Sequence, residues 1–266
     1  MSSFSKYAAL GSATFQQRLA YRNVFFLHLA GQVMVLLSMY FVWRAVFAGQ
    51  ASVGGFSWRE MQSYLLLTFV VNGVIGMHSE LMLSYRILDG SVAVDLLKPL
   101  DYQVARLTEA LVTALLEGGA AVFGAIAIAL ALGGTLLPAD ALHGALSLVS
   151  FALGIFIKFG IVFLAGLACF WTTNGWGISW AQSAVSQLLS GALVPLSFFP
   201  GWLRQLAEWL PFHGMAYTPI AIHLGKIDAR AAIPLLVQQL AWAVALWLGA
   251  RALWSVMVRK ITIHGG

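Results

Sequence analysis

Long apolar runs are the feature of this sequence that most restricts its fold. Runs of about 18 or more apolar residues recur along the chain, and each is long enough to cross a bilayer as a helix. Of the 266 residues, 60% are hydrophobic and only 9% are charged, which is more apolar side chain than a soluble core of this size buries. The sequence therefore predicts an all-α polytopic membrane protein.

The apolar runs predict about six transmembrane helices in one domain, residues 24–266. The predicted spans are residues 24–47, 61–83, 106–132, 146–170, 178–199 and 234–258. The first run is too long for the core of a signal peptide, and no convincing small-residue cleavage site follows it, so we expect it to remain as a span.

Residues 1–23 predict an amphipathic helix that lies in the membrane surface. An apolar stripe recurs there at helical spacing: Phe4, Tyr7, Ala8, Gly11, Phe15 and Leu19. Arg18 and Arg22 encroach on the apolar side, where their long stems can still carry the charge to lipid phosphates. A disordered tail is the alternative.

Basic residues in the loops predict the orientation. With the N-terminus in the cytoplasm, eight Lys and Arg residues lie on the cytoplasmic side and five lie outside. The cytoplasmic residues are Lys6, Arg18, Arg22, Arg86, Lys98, Arg106, Arg259 and Lys260. An even number of spans then places both termini in the cytoplasm.

A charged segment, residues 84–103, separates predicted spans two and three and is expected in water. Residues 89–91 predict a turn that ends in an N-cap serine, residues 92–97 can form a short helix, and Pro99 prevents its continuation. Val92 and Leu96 fall on one side of this helix. Such an element can dock in the groove of a soluble partner, and a loop lying on lipid headgroups is an equal alternative.

Prolines divide the chain between predicted spans five and six. They are Pro195, Pro200, Pro211 and Pro219. The apolar pieces between them are about 10 to 14 residues long, which is typical of re-entrant or interfacial helices. We predict an extracytoplasmic re-entrant hairpin over residues 195–230. The alternative, two kinked spans, would bury Arg204, Glu208 and His213 at depth.

Two polar features lie inside the predicted spans. Span five carries a polar stripe at three- and four-residue steps: Ser179, Ser183, Ser186, Gln187 and Ser190. The stripe either packs against another helix or forms a wall of a substrate path, for which Asn72 is a weaker candidate. Glu117 and Lys158 lie at similar predicted depths, and we predict that they form a structural ion pair rather than a proton relay.

This arrangement resembles the permease subunit of type-2 ATP-binding-cassette exporters. The resemblance rests on the surface helix, the six spans, the DGSVAVDLLKPLD loop and the proline-broken VPLSFFPGWL…LPF hairpin. It implies that spans one, two and five line the path, which favours the path reading of the polar stripe. It also implies a coupling element seated in a cytoplasmic ATPase: Asp89, Gly90, Val92, Asp95, Leu96, Leu97, Lys98 and Pro99.

The resemblance further implies a bacterial inner-membrane transporter of two permeases, identical or related, and two ATPase subunits. The chain lacks the phosphate-binding pattern G-x-x-x-x-G-K-[ST], because Gly225-Lys226 is followed by Ile227. We therefore expect no cofactor on this chain, with ATP and Mg²⁺ bound by the partner. Nucleic acid is not an expected partner, because Lys and Arg are spread over loops and span ends.

The expected function is export of an amphipathic or hydrophobic substrate, since few charges line the predicted path. A secondary transporter or channel without an ATPase is the alternative. No repeated pair of broken spans and no dense set of intramembrane acids supports it. An intramembrane enzyme is less favoured, because the sequence lacks the protease motifs G-x-S-G and H-E-x-x-H and any metal-ligand spacing.

Overall fold

The computed structural model describes residues 3–74, 78–172 and 174–260, which form a bundle of helices. The helices are α1 Ser3–Ala20, α2 Arg22–Val46, α3 Trp58–Val74, α4 His78–Leu88, α5 Val92–Leu96, α6 Tyr102–Leu132, α7 Ala141–Leu167, α8 Gly175–Leu189, α9 Gly201–Trp209, α10 Tyr217–His223 and α11 Ala229–Met257. Two short antiparallel strands, β1 Ser52–Val53 and β2 Phe56–Ser57, form a hairpin between α2 and α3. Short 3-10 turns occur at Ala168–Phe170, Leu196–Phe198, Pro211–Met215 and Val258–Lys260.

Within the described ranges, four helices are long and apolar enough to cross a bilayer. They are Asn23–Val46, Tyr102–Leu132, Ala141–Phe170 and Ala229–Met257. These helices coincide with predicted spans one, three, four and six. Together with the almost wholly helical fold, they confirm the all-α polytopic class.

Predicted spans two and five correspond to shorter helices. α3 has 17 residues and α8 has 15. Residues 75–77 of the second span lie outside the described residues. α8 ends before the predicted boundary at residue 199 because Gly191, with φ +81°, turns the chain. The Tyr64 hydroxyl donates a 2.7 Å hydrogen bond to the Gly191 carbonyl and holds this turn. The number of crossings and the re-entrant path of the next segment stay predictions.

Small residues bring the long helices together. A Cβ added at Gly73 on α3 would lie 2.5 Å from the Cβ of Ala121 on α6. One added at Gly160 on α7 would lie 2.6 Å from the Cβ of Leu246 on α11. Such close approach increases van der Waals contact between helices that lipid does not drive together. The pairs α3–α6 and α7–α11 therefore form the frame of the bundle.

The two ends of the bundle differ. We call the end that carries α5, the start of α6 and the end of α11 the α5 end, and the opposite end the α9 end. α1 lies along α6 near the α5 end, where the Tyr7 hydroxyl accepts a 3.1 Å hydrogen bond from the Asp101 N–H. Residues 1–23 thus contain the predicted helix, and its place in the membrane surface stays a prediction.

An aromatic cluster forms the α9 end. The hairpin loop has two residues with positive φ, Gly54 at +57° and Gly55 at +82°, which is typical of a type I′ turn. The ring of Phe198 lies against this loop, so that a Cβ on Gly54 would be 2.6 Å from it. Phe198 also packs on Trp43 and Phe56, with ring centroids 4.8 Å and 6.2 Å apart. These contacts fasten the proline-broken segment to α2 and the hairpin.

Candidate functional site

α5 forms at the predicted position within residues 84–103. Gly90 takes φ +76°, and the Asp89 Oδ1 accepts a 2.9 Å hydrogen bond from the Ser91 N–H. Hydrogen bonding to Ser91 holds the pKa of the Asp89 carboxyl below its usual value, so this side chain keeps its charge near neutral pH. The turn sets the start of α5, and Ser91 occupies the predicted N-cap position.

Asp95 joins α5 to both neighbouring helices. Its Oδ2 lies 2.6 Å from Nη1 of Arg86 on α4 and 3.6 Å from Nη2 of Arg106 on α6, and its Oδ1 lies 2.7 Å from the Lys98 Nζ. Glu109 on α6 completes the group, 2.9 Å from Nη1 of Arg106 and 3.4 Å from Nη2 of Arg86. We call these five residues the Asp95 network. The side chains of Asp95 and Arg106 are only 8% exposed, so solvent screens their contact weakly.

The faces of α5 differ from the prediction. Val92 is 2% exposed and packs in an apolar cluster with side chains of α4, α6, α7 and α11. Val94 and Leu97 are 61% and 84% exposed, and Leu96 is 40% exposed. The prediction that Val92 shares a partner-facing edge with Leu96 is therefore wrong. The orientation of α5 about its axis brings Asp95 to Arg86 and Arg106. The same orientation buries the Val92 side chain in the core of this chain.

A cavity of about 620 Å³, bordered by α2, α3 and α8, gathers most of the predicted path residues. Five of them line it: Asn72, Ser183, Ser186, Gln187 and Ser190. Ser179 lies outside this lining and is buried at 6% exposure. We call this space the α8 cavity. Hydroxyl and amide groups of α3 and α8 face the same cavity, so the polar stripe can form part of the wall of a substrate path.

α2 adds polar residues to the α8 cavity that sequence reasoning missed. His28 and Gln32 line it from one face of α2, and their side chains form a hydrogen bond at 3.3 Å. The signal was present in the sequence, since two polar residues four positions apart in an apolar span lie on one helix face. The transport role of this wall stays a prediction.

A second cavity of about 520 Å³ lies beside α1, toward the α5 end, and we call it the α1 cavity. Glu117 and Lys158 both line it. The Glu117 Oε1 lies 3.8 Å from Nη1 of Arg18, a contact that the prediction did not include. This contact is not predictable from the depths of Glu117 and Lys158 in their spans, because Arg18 reaches Glu117 only through the packing of α1 along α6. Pairing of Glu117 with Lys158 stays a prediction.

The family model described as ABC-2 family transporter protein matches residues 33–265, which is most of the 266-residue chain. The chain belongs to the ABC-2 transporter family. A search of curated proteins finds no match.

Membership in the ABC-2 family confirms the resemblance drawn from the loop and the hairpin. The chain is the membrane component of an ABC transporter, a transport subunit with several membrane helices. Membrane components of this family work with ATPase subunits.

The ABC-2 chain also contains site residues that sequence reasoning did not assign. Sequence reasoning gives Arg86, Arg106 and Glu109 no role at the site. Arg86 and Arg106 pair with Asp95 on α5, and Glu109 pairs with both arginines. A usable signal was the clustering of both charge signs next to the predicted coupling element.

Proposed function

We propose that this chain is the permease subunit of an ABC exporter in a bacterial inner membrane, with both termini in the cytoplasm. It moves an amphipathic or hydrophobic substrate outward, using ATP hydrolysed by a separate cytoplasmic subunit that binds ATP and Mg²⁺. A second permease, identical or related, completes the path.

The observation that carries this proposal is the construction of α5. Its outward face presents Val94 and Leu97, whereas its inward face is held by the Asp95 network and by Val92. Exposed apolar residues on a short helix suit a groove on another protein. The ion pairs on the other face connect α5 with α4 and with α6, whose 31 residues extend about 46 Å along the bundle. A force applied to α5 is therefore transmitted to the helices that border the cavities.

The two cavities support an amphipathic substrate. The α1 cavity combines charged side chains with apolar walls, and the α8 cavity combines hydroxyl and amide groups with apolar walls. They share the lining residues Val24 and Lys158, so they are neighbours along the bundle. A molecule with one polar and one apolar part is matched by such surfaces along its way.

Purification of the native complex in a gentle detergent tests the proposal. We expect an ATP-binding subunit to come with the chain, and we expect Leu97→Asp to reduce its recovery at least about tenfold, because a charge would be buried without a partner at the contact. Leu137→Asp is the matched control, since Leu137 is 75% exposed at the α9 end. It should leave recovery unchanged.

Two outcomes would contradict the proposal. Equal recovery of the ATPase with both variants would remove α5 as the contact. A chain that is recovered alone and transports on an ion gradient would favour a secondary transporter or channel.

A further inference from the structure

The charged end of the α1 cavity has an excess of positive charge. Its charged lining residues are the cations Arg18, Arg86, Arg106 and Lys158 and the carboxylates Glu109 and Glu117. Lys158 has a further interaction partner. The three arginines and the two carboxylates leave an excess of one positive charge among the described lining residues. Asp95 and Lys98, which adjoin this end through the Asp95 network, add one charge of each sign and leave the excess unchanged.

Arg106 carries hydrogen-bond donors that no described group satisfies. The residue is 8% exposed and lines the α1 cavity. Its Nη1 is 2.9 Å from Glu109, but neither Nε nor Nη1 has a hydrogen-bond acceptor with acceptable geometry within the described residues. A buried donor without an acceptor destabilises the protein, and more so when the group is charged. An oxyanion in the cavity would remove this cost, because guanidinium N–H groups bind phosphate strongly.

The rest of the α1 cavity is mostly apolar and opens to the side of the bundle. Leu19 on α1 and Phe26 on α2 line it and are 53% and 59% exposed, while Phe159 and Val162 on α7 form its inner wall. The exposed residues belong to the predicted surface helix and to the first span, so the opening faces the region that lipid occupies. A hydrocarbon chain is the natural occupant of that part of the cavity.

We propose that the α1 cavity binds an amphiphile with an anionic head group of the phosphate class. The head group contacts Arg106, Arg18 adds positive charge elsewhere in the same cavity, and the hydrocarbon chain lies between α2 and α7. This deepens the proposed function by naming a substrate class and rests on it for the transport role, although binding requires no ATPase. Because the cavity shares Val24 and Lys158 with the α8 cavity, the bound amphiphile lies next to the predicted path.

Native mass spectrometry of the full chain in a nonionic detergent tests the binding. The lipid probes are phosphatidylglycerol and phosphatidylcholine, titrated separately. We expect phosphatidylglycerol to bind at least about tenfold more tightly, since it lacks the choline cation that would meet the positively charged end of the cavity. Arg18→Gln should lower that preference at least about threefold, and Arg18→Lys, which keeps the charge, should retain most of it.

Arg251→Gln is the matched control for the loss of charge. Arg251 is at the same end of the bundle, but it pairs with Asp101 at 2.9 Å and does not line the cavity. An equal loss of preference in Arg18→Gln and Arg251→Gln would overturn the proposal, because a general surface charge would then explain binding. Equal binding of the two lipids by the unmodified chain would also overturn it.

Soluble probes distinguish the contribution of the phosphate head group to binding from that of the hydrocarbon chain. They also identify the source of the ligand. Dodecyl phosphate should bind, and inorganic phosphate that binds equally tightly would overturn the role of the apolar wall. Displacement of co-purified phospholipid by dodecyl phosphate identifies an exchangeable, cargo-like ligand, whereas retention identifies a resident membrane lipid. Both results support an anionic amphiphile. Binding of phosphatidylglycerol by a chain that recruits no ATPase would overturn the proposed function and leave this inference intact.

Discussion

Single buried polar side chains hold the proline-broken segment against the bundle. Gln239 on α11 is 1% exposed and donates a 2.7 Å hydrogen bond to the Gly214 carbonyl, and Ser150 on α7 donates a 2.8 Å hydrogen bond to the Gln239 Oε1. His213, 3% exposed, has its Nδ1 2.7 Å from the Thr218 Oγ1. Because unsatisfied buried polar groups are costly, the Gln239 bond favours one position of the segment on α11, and the His213–Thr218 contact favours one conformation within the segment.

The burial of His213 predicts a pH dependence of stability. Desolvation lowers the pKa of His213 below its usual 6.5, and the opposing effect of Glu208 does not overcome it. The unfolded chain therefore binds a proton more readily than the folded chain. The contribution of His213 to stability is complete above about pH 6.5 and is lost as the pH falls below that value.

We expect the melting temperature to fall more for the unmodified chain than for His213→Gln when the pH decreases from about 7.5 to about 5.5. Thermal unfolding in detergent measures this difference. His143→Gln removes a histidine at the start of α7, outside the segment, and should keep the full pH response. The same response in the unmodified chain and in His213→Gln would contradict the assignment.

At the scale of helices, the sequence predicts that a helix forms more reliably than it predicts the residues at which the helix begins and ends. α2, α6, α7 and α11 were predictable because their apolar windows alone specify a span. The end of α8 was not predictable, because it depends on a bond from Tyr64 to Gly191 across 127 positions. The rotation of α5 was likewise hidden, since it follows from Asp95 contacts to residues on two other helices.

The same limit applies to the candidate site. The stripe on α8 was predictable from its spacing, and five of the six predicted path residues line one cavity. The contact between Arg18 and Glu117 was not, because 99 positions separate the two residues and only the packing of α1 on α6 joins them. The spacing of residues in the sequence identifies which side chains share a helix face. Which other helix packs against that face depends on the tertiary structure.

The close approach of α7 and α11 gives a prediction at the scale of helices. Gly160→Ala should destabilise the chain, because its Cβ would lie 2.6 Å from the Cβ of Leu246, which is not a flexible chain end. We expect a loss of about 1–3 kcal/mol, measured by denaturation in detergent.

Gly249→Ala on α11 is the matched control for this substitution. A Cβ at Gly249 meets nothing within 4 Å in the described chain, so helix propensity alone applies and should add about 0.5–1 kcal/mol. Equal effects of the two substitutions would contradict the close packing of α7 on α11 and indicate that backbone propensity dominates at both positions.

At the scale of the molecule, the Asp95 network and the aromatic cluster lie at opposite ends of the bundle, and the proposed function makes the α5 end the one that receives force. The Asp95 network lies at the α5 end, and the aromatic cluster of the β-hairpin and Phe198 lies at the α9 end. Only 6% of the apolar window of α2 is buried within the chain, although α2 borders both cavities. A surface so little covered fits the implied position of the first span at the path between two permeases.

The orientation of these two ends decides whether an ATPase can reach α5. Leu97 is 84% exposed at the α5 end and Trp209 is 79% exposed at the α9 end, so the chain itself covers a cysteine at neither position. The buried native cysteine is first removed as Cys169→Ser. In intact cells, a membrane-impermeant maleimide should label Trp209→Cys and should label Leu97→Cys only after the membrane is permeabilised, because the bilayer blocks the charged reagent. Labelling of Leu97→Cys in intact cells would place α5 outside the cell, where a cytoplasmic ATPase has no access to it.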